Sequence, residues 1–106
     1  MKTQLRKGAL EMCVLAQLEQ GDSYVYELVG RLALCMDIGE GTVYPLMRRL
    51  QADALVATYL LESSSGPARR YYALTEAGRQ ALASMKREWA EFVAEIERAL
   101  RQGGTI

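Results

Sequence analysis

Two pairs of adjacent arginines, Arg48-Arg49 and Arg69-Arg70, are the side chains of this sequence best suited to bind a charged partner. The 106-residue chain as a whole is neutral, with 13 basic and 13 acidic residues. Residues 41–87, however, hold seven basic and three acidic residues. Because guanidinium groups pair with phosphates and with the O6 and N7 atoms of guanine, this segment predicts a face that binds nucleic acid. A solvated helix face and an exposed strand are the alternative interpretations of the two pairs.

The sequence lacks the residue sets on which most catalytic and metal sites are built. It has no histidine, which removes the commonest general base and metal ligand. Cys13 and Cys35 belong to no C-x-x-C motif, so both are expected to be reduced packing residues, with redox sensing by Cys35 as the alternative. No glycine-rich phosphate loop and no paired nucleophile and base occur. We therefore expect neither an enzyme nor a bound metal or cofactor.

The distribution of apolar residues indicates one small globular domain. Hydrophobic residues make up 50% of the chain and charged residues 25%, a balance typical of globular domains. No apolar run reaches the length of about 18 residues that a membrane span needs. Glu11 interrupts the apolar residues near the amino end, which argues against a secretion signal. The sequence thus predicts a cytoplasmic protein with no membrane partner.

Helical spacing of apolar residues predicts three helices in the first half of the chain, over residues 5–19, over residues 23–34 and within residues 40–52. Gly21 suits the end of the first helix, and Asp22 or Ser23 can cap the second.

The third helix carries the first arginine pair. Pro45 is tolerated in the first turn of a helix, so we expect the helix to start near Thr42. One face holds apolar residues at i, i+3, i+4 and i+7, and is expected to face the core. The other face exposes polar side chains, namely Thr42, Tyr44, Arg48, Arg49 and Gln51.

A hairpin is predicted next. Residues 55–61 and 69–74 are rich in β-branched and aromatic side chains, which favour strands. Between them, residues 63–67 form a cluster of turn residues that includes Gly66 and Pro67. Of the two adjacent tyrosines in the second strand, one ring is expected in the core.

A long helix completes the chain. Thr75 can cap it, and Glu76 suits its positive end. Gly78 lies in the first turns and costs roughly 1 kcal/mol relative to alanine, which a close neighbour would explain. Residues 103–106 are expected to form a flexible tail after the helix ends at Gly103-Gly104. An apolar seam runs along the helix, formed by Leu82, Met85, Trp89, Phe92, Val93, Ile96 and Leu100.

Three helices, a hairpin and a long helix, in this order, predict a mainly α fold, a winged helix-turn-helix domain with a small β wing. The predicted domain spans residues 1–75, and residues 76–102 form a long C-terminal dimerisation helix, because a domain this small cannot cover the whole seam. The predicted dimer contacts are Leu82, Met85, Trp89, Phe92, Ile96 and Leu100. The predicted core consists of Leu10, Val14, Leu18, Leu28, Leu32, Val43, Leu46, Leu50, Val56 and Leu74.

A winged-helix homodimer would place each third helix in a major groove of double-stranded DNA and each wing against the backbone. The operator is then expected to be an inverted repeat. Tyr24 and Tyr26 are expected to be packing residues with a polar tip, and a phosphate contact is the alternative. The candidate DNA-binding residues are Tyr24, Thr42, Tyr44, Pro45, Arg48, Arg49, Ser64, Ser65, Gly66, Arg69 and Arg70.

Motifs along nearly the whole chain carry a family resemblance. They are KGALE at 7–11, GDSYVYE at 21–27, GTVYPLMRRL at 41–50 and GPARRYYALTEAG at 66–78, followed by Trp89. In order and spacing the sequence resembles the short PadR-type transcriptional regulators, although Ala54 stands where glycine is usual. The resemblance implies a homodimeric repressor whose third helix and wing bind DNA and whose last helix dimerises.

The resemblance is strongest to the multidrug-responsive branch, and it implies a pore at the dimer interface that takes planar aromatic ligands. Trp89 matches the tryptophan that sandwiches such ligands, and interface packing alone is its alternative role. The candidate ligand-binding residues are Leu5, Met12, Ala16, Met85, Trp89 and Val93. A winged-helix module that binds a protein instead of DNA is the second hypothesis for the function, and an enzyme is the third.

Overall fold

The computed structural model describes the backbone of residues 8–105 and the side chains of residues 8–102, so Leu5 lies outside the described residues. The predicted order of elements is confirmed. The chain runs through α1 (Ala9–Gln20), α2 (Val25–Ala33), α3 (Glu40–Ala52), β1 (Val56–Ser63), β2 (Gly66–Leu74) and α4 (Glu76–Thr105).

One apolar core joins the three short helices, the base of the hairpin and the first turns of α4. Nine of the ten predicted core residues are buried, and Leu10 packs against the core at its edge. The core also takes in Leu15, Val25, Met47, Tyr72 and Leu82. The winged helix-turn-helix fold expected from the sequence is therefore present.

The turn between α1 and α2 differs from its prediction. Helix α2 begins at Val25, two residues later than expected, and no side chain caps it. Ser23, a predicted cap, is fully buried and pairs with Tyr72 of β2 through two backbone hydrogen bonds of 3.1 and 2.8 Å. Pairing with β2 fixes the backbone of Ser23, so this residue forms an isolated β-bridge to the hairpin instead of capping a helix.

Helix α3 begins at Glu40, so the predicted start near Thr42 is wrong. The N–H groups of Thr42 and Val43 donate to the carbonyl of Gly39, which closes the first turn two residues early. Pro45 consequently lies beyond the first turn and cannot donate to the carbonyl of Gly41. Both residues are exposed, so water can reach that carbonyl and the helix tolerates the proline.

The hairpin is longer and its turn tighter than predicted. β1 and β2 pair antiparallel from Val56 opposite Leu74 to Ser63 opposite Gly66, which leaves only Ser64 and Ser65 in the turn. The expected five-residue turn over 63–67 is wrong because Gly66 and Pro67 are part of β2. Pro67 fits there because a two-stranded sheet consists only of edge strands.

Helix α4 starts as predicted, because the hydroxyl of Thr75 accepts a 3.0 Å hydrogen bond from the N–H of Gly78. A Cβ on Gly78 would lie 2.1 Å from the carbonyl oxygen of Leu55, so a close neighbour does explain this glycine. The helix continues through Gly103 and Gly104 to Thr105, against the predicted flexible tail; Ile106 lies outside the described residues.

The length of α4 gives the chain an elongated shape. Its 30 residues extend about 45 Å at the standard helical rise, and the molecule measures 63 × 27 × 21 Å. The first turns of α4 pack on α1, and the remainder projects from the winged domain. The fold therefore separates a closed domain from an extended helix.

Candidate nucleic-acid interface

Helix α3 presents the polar face that the sequence predicts. Val43, Leu46, Met47 and Leu50 are buried, which turns the opposite face to solvent. Four predicted DNA contacts are exposed on the solvent side besides Arg49, namely Thr42, Tyr44, Pro45 and Arg48.

The two arginines of α3 have different surroundings. Both Nε and Nη2 of Arg49 donate to Oε1 of Glu11 on α1, at 3.1 and 2.9 Å. Arg48 makes no hydrogen bond or ion pair with any residue that the structure describes. Arg48 is consequently available to an external anion, whereas Arg49 holds α3 against α1.

The wing carries the second arginine pair near its tip. Nη1 of Arg70 donates to the hydroxyl of Thr58 on the opposite strand, at 3.2 Å. The guanidinium of Arg69 lies 4.7 Å from the centre of the Tyr24 ring, a cation–π contact. Both arginines remain exposed, so these contacts orient them without removing their charge from solvent.

Three tyrosines join the wing to the turn after α1. The ring of Tyr71 contacts Tyr24 edge-on at 5.4 Å and stacks on Tyr59 at 5.6 Å. The hydroxyl of Tyr59 donates a 2.7 Å hydrogen bond to Oδ2 of Asp22. This bond raises the pKa of Tyr59 above its ordinary value.

Sequence reasoning did not identify Asp22 and Tyr59 as parts of the site. The signal for Tyr59 is the hairpin register, which places it directly opposite Tyr71. Cross-strand aromatic pairs of this kind are common. No sequence signal connects Tyr59 with Asp22, since they are 37 residues apart.

A groove of about 330 Å³ lies where the start of α2, the exposed face of α3 and the wing meet. It brings together four predicted DNA contacts, Tyr24, Tyr44, Arg69 and Arg70, with Val25, Tyr26 and Tyr72. Tyr26 is 72% exposed, so the packing role considered for it is wrong, and its hydroxyl is a further polar group at the groove. The lining includes two guanidinium groups and no carboxylate, which suits an anion.

The other predicted contacts surround this groove without lining it. Ser64, Ser65 and Gly66 are exposed at the tip of the wing, and Thr42, Pro45 and Arg48 are exposed on α3. The groove is thus lined from α3 and the wing, the two elements that the sequence singles out, and from the start of α2 between them.

A second surface of interest is apolar and belongs to α4. Trp89 is 44% exposed, Phe92 54% and Leu100 71%. Ile96 is also exposed, and Met85 and Val93 are half-buried beside them. Met12 and Ala16 of α1 are half-buried against the core.

Leu82 is a correction to the predicted dimer seam. Its side chain is 1% exposed and forms part of the core of the chain itself. It is therefore unavailable to a partner, because the start of α4 packs on the winged domain. The exposed part of the seam begins after it, at Met85 and Trp89.

Within the described residues, no three metal-ligating side chains of the His, Cys, Asp and Glu types come together. No helix among those residues is both long and apolar enough to cross a membrane.

Known structures share this architecture. A PadR family transcriptional regulator from Eggerthella lenta is 36% identical, with a TM-score of 0.85 over 94% of this chain and 88% of that one. A PadR-like transcriptional regulator from Bacillus cereus is 35% identical, with a TM-score of 0.82 over 92% of this chain and 96% of that one. Bacillus subtilis PadR in complex with operator DNA is 18% identical, with a TM-score of 0.66 over 73% of this chain and 45% of that one, a likeness of fold alone.

Residues 14–84 match the model of the transcriptional regulator PadR-like family. This segment includes α2, α3, the whole wing and the start of α4, and so contains every side chain that lines the groove. Members of the family are transcriptional regulators, so the expectation that the chain is not an enzyme is confirmed. The motifs, the winged fold and this match agree, and the chain belongs to the PadR-like family of transcriptional regulators.

Proposed function

We propose that the chain is a repressor that binds an inverted-repeat operator as a homodimer. A planar aromatic ligand releases the repressor from the operator. The observation that carries DNA binding is the groove in which Tyr44 of α3 meets Arg69 and Arg70 of the wing, with no carboxylate in its lining. An anionic polymer that contacts Tyr44 would lie beside the arginines of the wing.

The exposed face of α3 enters the major groove. Arg48 can donate two hydrogen bonds to the O6 and N7 of a guanine, the commonest specific base contact. Thr42 and Tyr44 precede it along the same face, where base edges and phosphates lie within reach. Arg49 contributes less to DNA binding, because Glu11 already occupies its guanidinium.

The wing and the groove bind the backbone. Arg69 and Arg70 contact phosphates, and the hydroxyls of Tyr24 and Tyr44 donate to the same oxygens. Ser64, Ser65 and Gly66 form a tip small enough to approach an adjacent minor groove. Bacillus subtilis PadR, which shares the fold, has been solved in complex with operator DNA, and this supports DNA as the partner of the fold.

Dimerisation occurs through the exposed part of α4. Trp89, Phe92, Ile96 and Leu100 lie on one stripe and stay in contact with water in the single chain. A second copy related by a two-fold axis can cover that stripe. In this arrangement residues 1–75 bind DNA and residues 76–102 hold two such domains at a fixed spacing.

A planar aromatic ligand binds at the same interface. Trp89 offers a flat ring, and Met85 and Val93 lie one helical turn to either side of it. Met12 and Ala16 of α1 complete a half-buried apolar surface, and Leu5 is proposed to extend it. Methionines adapt their shape to different ligands.

DNA binding is tested by fluorescence anisotropy with the chain's own upstream DNA, a scrambled duplex and a series of salt concentrations. We expect tight, selective binding that weakens steeply with salt, because phosphate contacts release counterions. Arg69→Ala combined with Arg70→Ala should weaken binding to both duplexes. Arg98→Ala, an exposed arginine on α4, removes one charge outside the groove and should have a much smaller effect.

Two results would contradict this function. Absence of salt-dependent binding to any duplex would favour a winged-helix module that binds a protein. A monomeric mass in solution would exclude the proposed dimer on an inverted repeat.

Ligand binding is tested by the fluorescence of Trp89, the single tryptophan of the sequence. A planar dye such as acridine, added without DNA, should quench this fluorescence. Because Trp89→Ala removes the signal, its dye affinity is measured by calorimetry, and we expect it to fall further than DNA affinity. Equal loss of both affinities, together with loss of the dimer, would show that Trp89 only packs.

A further inference from the structure

The wing carries both groove arginines on a two-stranded ribbon, so their positions depend on what supports the ribbon. At its base, the hydroxyl of Thr75 donates a 2.7 Å hydrogen bond to the carbonyl of Ala54. Higher up, the backbone of Tyr72 pairs with Ser23. Beyond Tyr72, side-chain contacts with the turn after α1 supply the remaining support.

These side chains form a continuous series that ends at a proposed DNA contact. Asp22 accepts a hydrogen bond from Tyr59, which stacks on Tyr71. Tyr71 meets Tyr24 edge-on, and the ring of Tyr24 lies under the guanidinium of Arg69. The series therefore connects the turn after α1 to both strands of the wing.

The turn at the start of this series is itself held firmly. Ser23 is fully buried, and its hydroxyl accepts a hydrogen bond from Nη2 of Arg31 on α2. The Ser23 hydroxyl also lies 3.4 Å from the carbonyl oxygen of Gly21. Asp22 is thus a fixed point against which the wing can be oriented.

We propose that Asp22 and Tyr59 are positioning residues that hold the wing in the orientation in which Arg69 meets the DNA backbone. The proposal rests on the proposed DNA-binding function. Neither residue is part of the groove lining, and each acts on Arg69 through the contacts just described. Their hydrogen bond lowers the cost of ordering the wing when the complex forms.

A carboxylate near DNA also repels phosphates, so the test compares variants of equal charge. Asp22→Asn removes the charge and keeps an oxygen that accepts from Tyr59, whereas Asp22→Ala removes both. We expect Asp22→Ala to bind the upstream duplex roughly three- to tenfold more weakly than Asp22→Asn, the range of one hydrogen bond. Tyr59→Phe should bind more weakly than wild type by a similar factor.

A double variant and a control residue on β1 complete the test. Asp22→Ala combined with Tyr59→Phe should bind no more weakly than Asp22→Ala, because both changes break one bond. Glu62 is an exposed carboxylate on β1 with no described partner. Glu62→Gln and Glu62→Ala should therefore bind DNA with equal affinity.

Amide hydrogen exchange measures the wing without DNA. We expect β1 and β2 to exchange faster in Tyr59→Phe and Asp22→Ala than in wild type, with the exchange of α1 and α3 unchanged. Asp22→Asn should behave as wild type. This measurement decides the positioning role even where wild type binds no duplex, a result that would overturn only the DNA-binding function.

Two outcomes would overturn the positioning role. Unchanged exchange in Tyr59→Phe and Asp22→Ala, with equal affinities for Asp22→Ala and Asp22→Asn, would show that the hydrogen bond does not position the wing. Weaker binding by Tyr59→Phe alone, with unchanged exchange, would show that the Tyr59 hydroxyl contacts DNA directly.

Discussion

The winged domain and the outer part of α4 use the same kinds of apolar residue with opposite results. In the domain, Leu28 and Leu50 are completely buried by the chain itself. On α4, Phe92 and Ile96 continue a regular apolar stripe and remain exposed. The stripe changes from buried to exposed where α4 leaves the domain, just after Leu82. The periodicity of a helix thus identifies an apolar face. Whether the chain itself buries that face depends on how far each turn of the helix lies from the domain.

The largest effect is expected from a substitution at the junction between the winged domain and α4. Gly78→Ala places a Cβ 2.1 Å from the carbonyl oxygen of Leu55 and 2.7 Å from Cδ1 of Leu74. Because a backbone atom cannot yield as a side chain does, we expect a loss of about 3 kcal/mol or more in the free energy of unfolding. Urea denaturation followed by circular dichroism measures it.

Gly30→Ala is the matched control for this prediction. Gly30 lies within α2, and a Cβ there would meet no atom within 4 Å. We expect a gain of up to about 1 kcal/mol, the difference in helix propensity. Equal effects of the two substitutions would show that the start of α4 is not tightly packed on the domain.

A charge on the exposed stripe should break the proposed dimer and leave the fold of the domain intact. Phe92→Glu is expected to raise the dimer dissociation constant by about 100-fold, or roughly 3 kcal/mol, as for a central interface residue. Sedimentation equilibrium measures the mass, and circular dichroism follows the helices.

Ala94→Glu introduces the same charge on the side of α4 away from the stripe, at least 120° around the helix from each of Trp89, Phe92, Ile96 and Leu100. It should leave the dimer nearly unchanged. A Phe92→Glu protein with the same mass as wild type would exclude this stripe as the dimer contact.

Within the winged domain, one strained residue offers a smaller gain. Ala54 has a φ of 60°, in the left-handed region that costs an L-residue roughly 1–2 kcal/mol. Ala54→Gly should raise the free energy of unfolding by about 0.5–1 kcal/mol, after the entropy lost by glycine is subtracted. Ala52→Gly, at the end of α3, should lower the stability instead. A loss of stability in Ala54→Gly would contradict strain at this position.

The smallest effects concern two ion pairs of α1. Glu11→Gln weakens the contact with Arg49 inside the domain and should cost less than about 1 kcal/mol, because both side chains are partly exposed. Glu19→Gln removes the 3.5 Å pair with Lys86, which joins the domain to α4. That change should stay within about 0.5 kcal/mol. A larger loss for Glu19→Gln, measured by urea denaturation, would mean that α4 is attached by charge as well as by packing.

Much of the fold was predictable because local rules determined it. Apolar spacing predicted the helices and all but a few of the core residues, and Thr75 and Gly78 marked the start of α4. The errors occurred where a distant partner overruled a local preference. Serine is a good capping residue, but the backbone of Ser23 pairs with Tyr72 instead. The first turn of α3 closes on the carbonyl of Gly39, and no local signal near Thr42 indicates this.

The site was predictable to the level of elements rather than contacts. Composition located the basic residues on α3 and the wing, and the structure places Tyr44, Arg69 and Arg70 around one groove. Composition could not show that Glu11 is hydrogen-bonded to Arg49, because the two positions are 38 residues apart. The Asp22–Tyr59 bond was hidden for the same reason, because only the folded hairpin brings the two side chains together.

The contact at Gly78 also makes α4 a lever. At Gly78, α4 lies so close to the carbonyl of Leu55 that the helix has no room to shift. Any change in the tilt of α4 is therefore a rotation about a point near Gly78. Over the length of about 45 Å that the helical rise gives α4, a tilt of 10° displaces the far end by about 8 Å. In the proposed dimer, small adjustments at the apolar stripe would thereby become large changes in the spacing of the two wings.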